Sequence, residues 1–194
     1  MDNSNGYERI AASFITVRGQ AADGIGAASI RHWARTLPPG ATVLDLGCGT
    51  GIPISGTLIS EGMNVYGVDA SPTLVKAFRR NFPGTPVCCE SVVTSPFFNL
   101  KFDAIVAWGL LFLLSEDEQA AVIQKMANAL RPGGRLLFTA PSMAVEWEDV
   151  MTGLRSVSLG TAKYKALLAA SRLSMVEEFE DEGENHYFHS RVLE

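Results

Sequence analysis

The stretch Val43-Leu44-Asp45-Leu46-Gly47-Cys48-Gly49-Thr50-Gly51 limits the possible folds of this chain more than any other. Its first four residues suit a buried strand. The three glycines that follow at alternate positions remove side chains where a closely approaching ligand needs them removed. Pro53 suits a first helical turn, where a missing N–H costs nothing, so a helix is expected directly after the loop. Strand, glycine loop and helix together make a nucleotide-type cradle. A dinucleotide site wants G-x-G-x-x-G with pyrophosphate on the helix N-terminus. Here Gly47, Gly49 and Gly51 alternate behind the acidic Asp45, which disfavours a pyrophosphate reader.

Downstream, apolar runs and breakers alternate in step. Pro53 to Ser60 reads as a helix closed by Gly62, and Asn64 to Val68 as a strand ending at Asp69. Pro72 to Asn81 is a helix with Ser71 as its N-cap, and Pro86 to Cys89 a third strand ending at Glu90-Ser91. Residues 91–101 read as a packed loop, and Phe102 to Ala107 as a fourth strand. Ser115 caps a long helix to about Leu130, with Glu116, Asp117 and Glu118 in its first turn. Arg131-Pro132-Gly133-Gly134 breaks it, and Arg135 to Ala140 is the fifth strand. Strand and helix thus alternate five times, the pattern of a doubly wound parallel sheet whose ligands sit beyond the carboxyl ends of the strands. Asp69 lies at such an end, where a nucleotide site places an acid against the ribose hydroxyls; capping the next helix is its other reading.

At 194 residues, 47% hydrophobic and 19% charged, the chain can bury one medium core. It is read as a single domain, 1–194, with an N-terminal helical cap (1–40), a cofactor-binding core (41–141), and a lid segment, helix and hairpin (142–194). A net charge of −5 disfavours nucleic acid as a partner. Cys48, Cys88 and Cys89 lack metal-ligand spacing and a companion histidine, so no metal is expected and they read as reduced, buried thiols of a cytoplasmic protein. The longest apolar run, Ala104 to Leu114, is too short to span a bilayer, so no membrane partner is expected. Monomer and homodimer both remain open.

The run Asp45-Leu46-Gly47-Cys48-Gly49-Thr50-Gly51 resembles the first motif of class I S-adenosylmethionine-dependent methyltransferases, and Leu130-Arg131-Pro132-Gly133-Gly134-Arg135-Leu136-Leu137-Phe138 resembles the motif before their fifth strand. The likeness spans residues 41–141. It implies a Rossmann-like, mostly parallel seven-stranded sheet with a C-terminal antiparallel hairpin strand and N-terminal helices. It also implies S-adenosyl-L-methionine as cofactor, S-adenosyl-L-homocysteine as product and a small-molecule acceptor. By the same likeness Asp45, Gly47, Cys48, Gly49 and Gly51 pack along the amino-acid part of the cofactor, Asp69 meets the ribose, Ala70 is a further cofactor contact, and Glu90 and Ser91 meet the adenine. Glu90 departs from the aspartate more common there. Trp108 either stacks on the adenine, walls the acceptor pocket or packs in the core. The N-terminal pattern of Tyr7, Ile10, Ala11 and Phe14 either lids the cofactor or covers the core edge, with Tyr7 and Arg18 as contacts in the first case. The Asn/Asp-Pro-Pro-aromatic and Pro-Cys motifs of base-modifying relatives are missing after the fourth strand.

A second helix is expected from Gly26 to Leu37, ended by Pro38-Pro39-Gly40. The segment Pro141 to Gly160, with Trp147, reads as a substrate lid or as a surface helix over Val145 to Leu154. Thr161 to Ser171 is then a helix, and Leu173 to Phe179 and Asn185 to Val192 a hairpin around an acidic turn at Asp181, Glu182 and Glu184. That turn hints at a cationic acceptor, although acidic turns are ordinarily just solvated. If the sixth strand runs parallel to the first five, this turn shares the cofactor rim. His186 is then the candidate general base, and His186, Tyr187, Trp147 and Trp108 are candidate acceptor contacts. A cofactor-binding protein without turnover is the rival reading; a nicotinamide oxidoreductase is disfavoured by the glycine spacing.

Overall fold

The computed structural model of the chain describes residues 4–17 and 22–193. Its core strands are β1 (Thr42–Leu46), β2 (Asn64–Asp69), β3 (Val87–Cys89), β4 (Phe102–Ala107) and β5 (Leu130–Thr139). The helices α1 (Tyr7–Val17) and α2 (Ala27–Ala34) precede them, and α3 (Ile54–Ser60), α4 (Pro72–Asn81) and α5 (Glu116–Ala129) are interleaved. The hairpin β6 (Ala144–Glu148) and β7 (Arg155–Leu159), α6 (Gly160–Ala170), β8 (Leu173–Glu180) and β9 (His186–Val192) follow. Seven strands form one sheet in the order β3-β2-β1-β4-β5-β9-β8, and β6 and β7 form a separate two-stranded sheet. Neighbours from β3 to β5 pair in parallel, while β9 is antiparallel to both β5 and β8. β8 therefore runs with the first five strands, and the turn at 181–185 shares their carboxyl rim. The winding reverses between β1 and β4, so the two strands send their connections to opposite sides and leave a crevice beyond their ends.

Period-two alternation divides the core. Val43, Val65, Ala104, Val106 and Leu137 pack with Ile30 and Trp33 of α2 and Leu58 of α3. Leu44, Leu46, Ile105, Leu136 and Phe138 face the other way, onto Val122, Ile123 and Met126 of α5 and Tyr164 and Leu168 of α6. Helix termini follow their caps. Ser71 Oγ accepts from Leu74 N at 3.1 Å, and Ser115 with Glu118 closes a reciprocal capping box at the start of α5.

Some expectations need correction. α2 stops at Ala34 instead of Leu37, although Leu37 is still buried. Arg131 to Gly134 does not separate helix from strand: Leu130 already pairs with Phe102, and the Pro-Gly-Gly residues form an irregularity inside β5 before Arg135 resumes pairing opposite Ala104. The segment 145–154 is neither a surface helix nor an irregular connection but the β6–β7 hairpin with its tip. Of the cysteines only Cys48 is buried; Cys88 is half-buried and Cys89 exposed, because β3 is the sheet edge. No described helix is long and apolar enough to cross a membrane.

Candidate active site

The chain leaves β1 through a tight turn. Gly47 N and Cys48 N donate to Val68 O of β2 at 2.8 and 3.1 Å, and Gly51 N donates to Cys48 O at 2.8 Å. The glycines then do different work. A Cβ on Gly49 would find nothing closer than the Phe14 ring of α1 at 3.8 Å, so its missing side chain leaves open space between loop and helix. A Cβ on Gly51 would lie 2.5 Å from Phe82 and 2.9 Å from Phe78, at a φ of +81°. Gly51 is therefore a packing glycine against α4 and does not border the hollow, contrary to the expectation that all three glycines clear room for a ligand.

Asp69, at the end of β2 and 9% exposed, holds the cradle together. Its Oδ2 accepts from Gly49 N and its Oδ1 from Ser71 N, each at 2.8 Å, so one carboxylate joins the glycine loop to the start of α4. Glu8 of α1 arrives at the same helix start: its carboxylate accepts from Ser71 Oγ, from Thr73 N at 3.1 Å and from Thr73 Oγ1 at 2.7 Å. Asp45 is buried on the α3 side of β1 and accepts from Ser55 Oγ at 2.6 Å. Burial pushes its carboxyl up to about 7, with the nearby Asp69 charge adding and the Ser55 bond opposing. Burial likewise raises Asp69 against its two backbone bonds, and raises the Cys48 thiol, helped by both acids.

These groups border a hollow of about 210 Å³ at the carboxyl rim. Asp45, Gly47, Cys48, Gly49, Asp69 and Ala70 form its floor, Ser91 and Val92 one end, and Trp108, Gly109 and Leu110 the side beyond β4. The segment holding Ser91 and Val92 is fixed from α5, where Lys125 Nζ donates to Val92 O and Val93 O at 3.0 and 3.1 Å. Tyr7 and Phe14 of α1 meet Asp149, Val150 and Met151 of the hairpin tip across the top. Arg9 ties these two covers together by donating to Thr152 O at 2.8 Å.

The remaining expected site residues stand elsewhere. Glu90 does not border the hollow; its Oε2 is buried without a hydrogen-bond partner. Trp147 packs on Phe112 at 5.4 Å between ring centroids and reaches the hollow only through that ring. Arg18 lies outside the described residues. His186 sits on the predicted rim but points to the opposite face from the one needed. Period two places it with Phe188, its ring 4.9 Å from that side chain, and its Nε2 and Nδ1 meet Glu178 and Glu180 at 3.0 and 3.4 Å. It touches no part of the hollow, and the general-base role is not carried forward.

Tyr187 takes the other face, yet it too stays behind the lining. It accepts from Trp108 Nε1 and donates to Asp181 Oδ2, both at 2.8 Å, so it orients the indole that walls the hollow. Burial and the Asp181 carboxylate hold its phenol well above the ordinary value. The acidic turn is structural at Asp181, whose Oδ1 also accepts from Gly183 N, Asn185 N and Asn185 Nδ2. Asn185 and Asp149 are among the bordering residues that escaped the sequence reading. Asp149 gave no signal, because the hairpin that carries it shows no apolar periodicity.

Residues 43–134, close to half the chain, match the family model described as a methyltransferase domain. Over these residues the chain is similar to methyltransferase domains. The chain is 31% identical over 109 residues to "Probable tRNA methyltransferase 9B" of Mus musculus, covering 56% of this chain and 23% of that one. It is 30% identical over 153 residues to the ubiquinone biosynthesis O-methyltransferase of Xanthomonas campestris pv. campestris, covering 73% of this chain and 62% of that one. The chain thus spans from under a quarter to under two thirds of the length of these curated relatives. In three dimensions the chain is similar to magnesium protoporphyrin IX methyltransferase from Synechocystis PCC 6803, solved with bound S-adenosylmethionine. The TM-score is 0.72 at 17% identity, over 99% of this chain and 98% of that one, a likeness of fold.

Proposed function

We propose that this chain transfers a methyl group from S-adenosyl-L-methionine to a small-molecule acceptor, and that residues 1–194 work as one cytoplasmic unit, monomeric or dimeric, with α1 and the hairpin as covers. The observation that carries the reading is that two buried carboxyls, Asp45 and Asp69, border one hollow at the switch point together with the side-chain-free Gly49.

The lining fits the cofactor. Asp69 keeps lone pairs beyond its two backbone bonds for the ribose hydroxyls, and Asp45, two residues before Gly47, is the acid for the ammonium of the amino-acid part. Ala70, Ser91 and Val92 offer a small, largely apolar end for the adenine ring. When bound, the cofactor supplies a methyl carbon already activated by its sulfonium, attacked by an acceptor lone pair while the carbon–sulfur bond breaks toward sulfur. The chain's task is therefore to align the partners and exclude water, and Trp108, fixed by Tyr187 and Asp181, and Leu110 supply apolar walls for it. The porphyrin and ubiquinone names of the relatives above concern small molecules. The tRNA name fits less well with a net charge of −5 and with a lining that, among the described residues, holds no lysine, arginine or histidine.

Calorimetry with S-adenosylhomocysteine and with NAD tests the cofactor: one thioether per chain and no NAD is the expected result, and tight NAD binding without the thioether contradicts it. Binding of the thioether with no methyl transfer to any of a broad acceptor panel favours the rival reading of a cofactor-binding protein without turnover.

Asp45 adds a pH signature. Its folded value, about 7, lies above the ordinary carboxyl range, so its ionisation costs the ligand-free fold stability as pH rises through that value. A bound ammonium favours the ionised form. Thioether affinity is expected to increase from pH about 6 to about 8, with proton release visible as a buffer-dependent binding enthalpy. A flat profile without proton release removes the Asp45 assignment.

A further inference from the structure

Among the acids bordering the hollow, Asp45 and Asp69 are accounted for by the cofactor reading, on which this inference rests; Asp149 is not. It stands one residue past β6 and is 7% exposed. Its Oδ1 accepts from Met151 N at 3.0 Å, Thr152 N at 2.8 Å and Thr152 Oγ1 at 3.1 Å, all within its own turn. Its Oδ2 meets the Tyr7 hydroxyl at 3.4 Å, long for a bond between oxygens. A buried carboxylate borders the hollow with one oxygen saturated and the other weakly engaged. Lone pairs on Oδ2 remain for a donor entering the hollow.

The rest of the upper lining narrows the partner's chemistry. Tyr7, Phe14, Trp108 and Phe112 present ring surface, and among the described bordering residues no side chain is cationic. A carboxylate or phosphate acceptor would face buried acids with no cationic side chain among the described bordering residues to offset them. A hydroxyl would offer Asp149 a single neutral donor. An amine offers several N–H donors, and in its protonated form a charge that both a carboxylate and aromatic faces attract. Asp181, the acid that suggested a cationic acceptor from sequence, is consumed by Tyr187 and its own turn.

We propose that Asp149 is an acceptor-binding residue, and that the acceptor is an amine whose N–H groups are held by its carboxylate beside the Tyr7 hydroxyl.

The test is calorimetry on protein saturated with S-adenosylhomocysteine, using probes paired by shape: phenethylamine and 2-phenylethanol, cyclohexylamine and cyclohexanol, glucosamine and glucose, with phenylacetate as the anion. In at least one pair the amine is expected to bind roughly tenfold or more tightly than its alcohol, as a charge-assisted bond to a buried carboxylate gives. Phenylacetate is expected not to bind. Asp149→Asn, which preserves shape and the bonds to Oδ1, should bring the amine to the alcohol's level while thioether affinity stays within about twofold. The wild-type comparison needs no variant and decides the matter even if Asp149→Asn does not fold. Alcohols equal to amines in every pair, binding of phenylacetate, no probe binding to the loaded protein, or an Asp149→Asn loss falling equally on the thioether each overturns the proposal. A chain that takes up no thioether refutes the cofactor reading instead.

Discussion

Asp69→Ala is expected to lower affinity for S-adenosylhomocysteine by roughly ten- to a hundredfold and to destabilise the ligand-free chain by about 2 to 4 kcal/mol. Both losses have the same source. The carboxylate accepts the Gly49 and Ser71 amides at 2.8 Å, and alanine leaves two N–H groups short of partners in a site that is almost closed to water. The ribose hydroxyls lose their acceptor at the same stroke. Asp69→Asn retains an acceptor of the same shape but no charge, so it should fall between the parent and alanine on both scales. Urea unfolding and calorimetry separate the two effects. If the alanine variant folds and binds the thioether as the parent does, the ribose assignment is lost.

Gly51→Ala is expected to be as damaging to the fold while sparing the hollow. A φ of +81° costs an L-residue about 1 to 2 kcal/mol, and a methyl placed 2.5 Å from Phe82 adds about 1 to 3 kcal/mol of overpacking. A loss on the order of 3 kcal/mol in urea unfolding is the expected result. The fraction still folded should bind the thioether within a few-fold of the parent, since Gly51 borders none of the hollow. Gly49→Ala should reverse the pattern: its Cβ meets nothing within 3.8 Å, so stability suffers less and binding more. Equal unfolding curves for Gly51→Ala and the parent would contradict the packing role.

That contrast shows what a one-dimensional reading can and cannot reach. The alternation of apolar runs with Gly and Pro breakers made the five parallel strands legible, because the inner strands β1 and β4 bury most of both faces and each helix buries one. A direct hairpin at the C-terminus placed the 181–185 turn on the ligand rim by topology alone. Nothing local distinguishes a glycine that clears room for a ligand from one that clears room for Phe82, 31 positions away in sequence. Alternation stated that only one of His186 and Tyr187 faces a given side. Which one is decided by register, where Tyr187 pairs with Thr139 and Phe188 stacks on Phe138, 4.9 Å between ring centroids. The β6–β7 hairpin was hidden for a simpler reason: β6 is almost wholly exposed, so it has no buried face to give a period. With it went Asp149, whose Tyr7 contact spans 142 positions.

The meeting of α1 with the hairpin tip has a bearing on how such a chain comes into use during synthesis. By the time residue 141 has been added, every glycine and acid of the recognisable motifs is in place, and a comparison of sequences would judge the pocket finished. The chamber at that moment still lacks its roof, for Tyr7 and Arg9, made well before, have yet to meet Asp149 and Thr152.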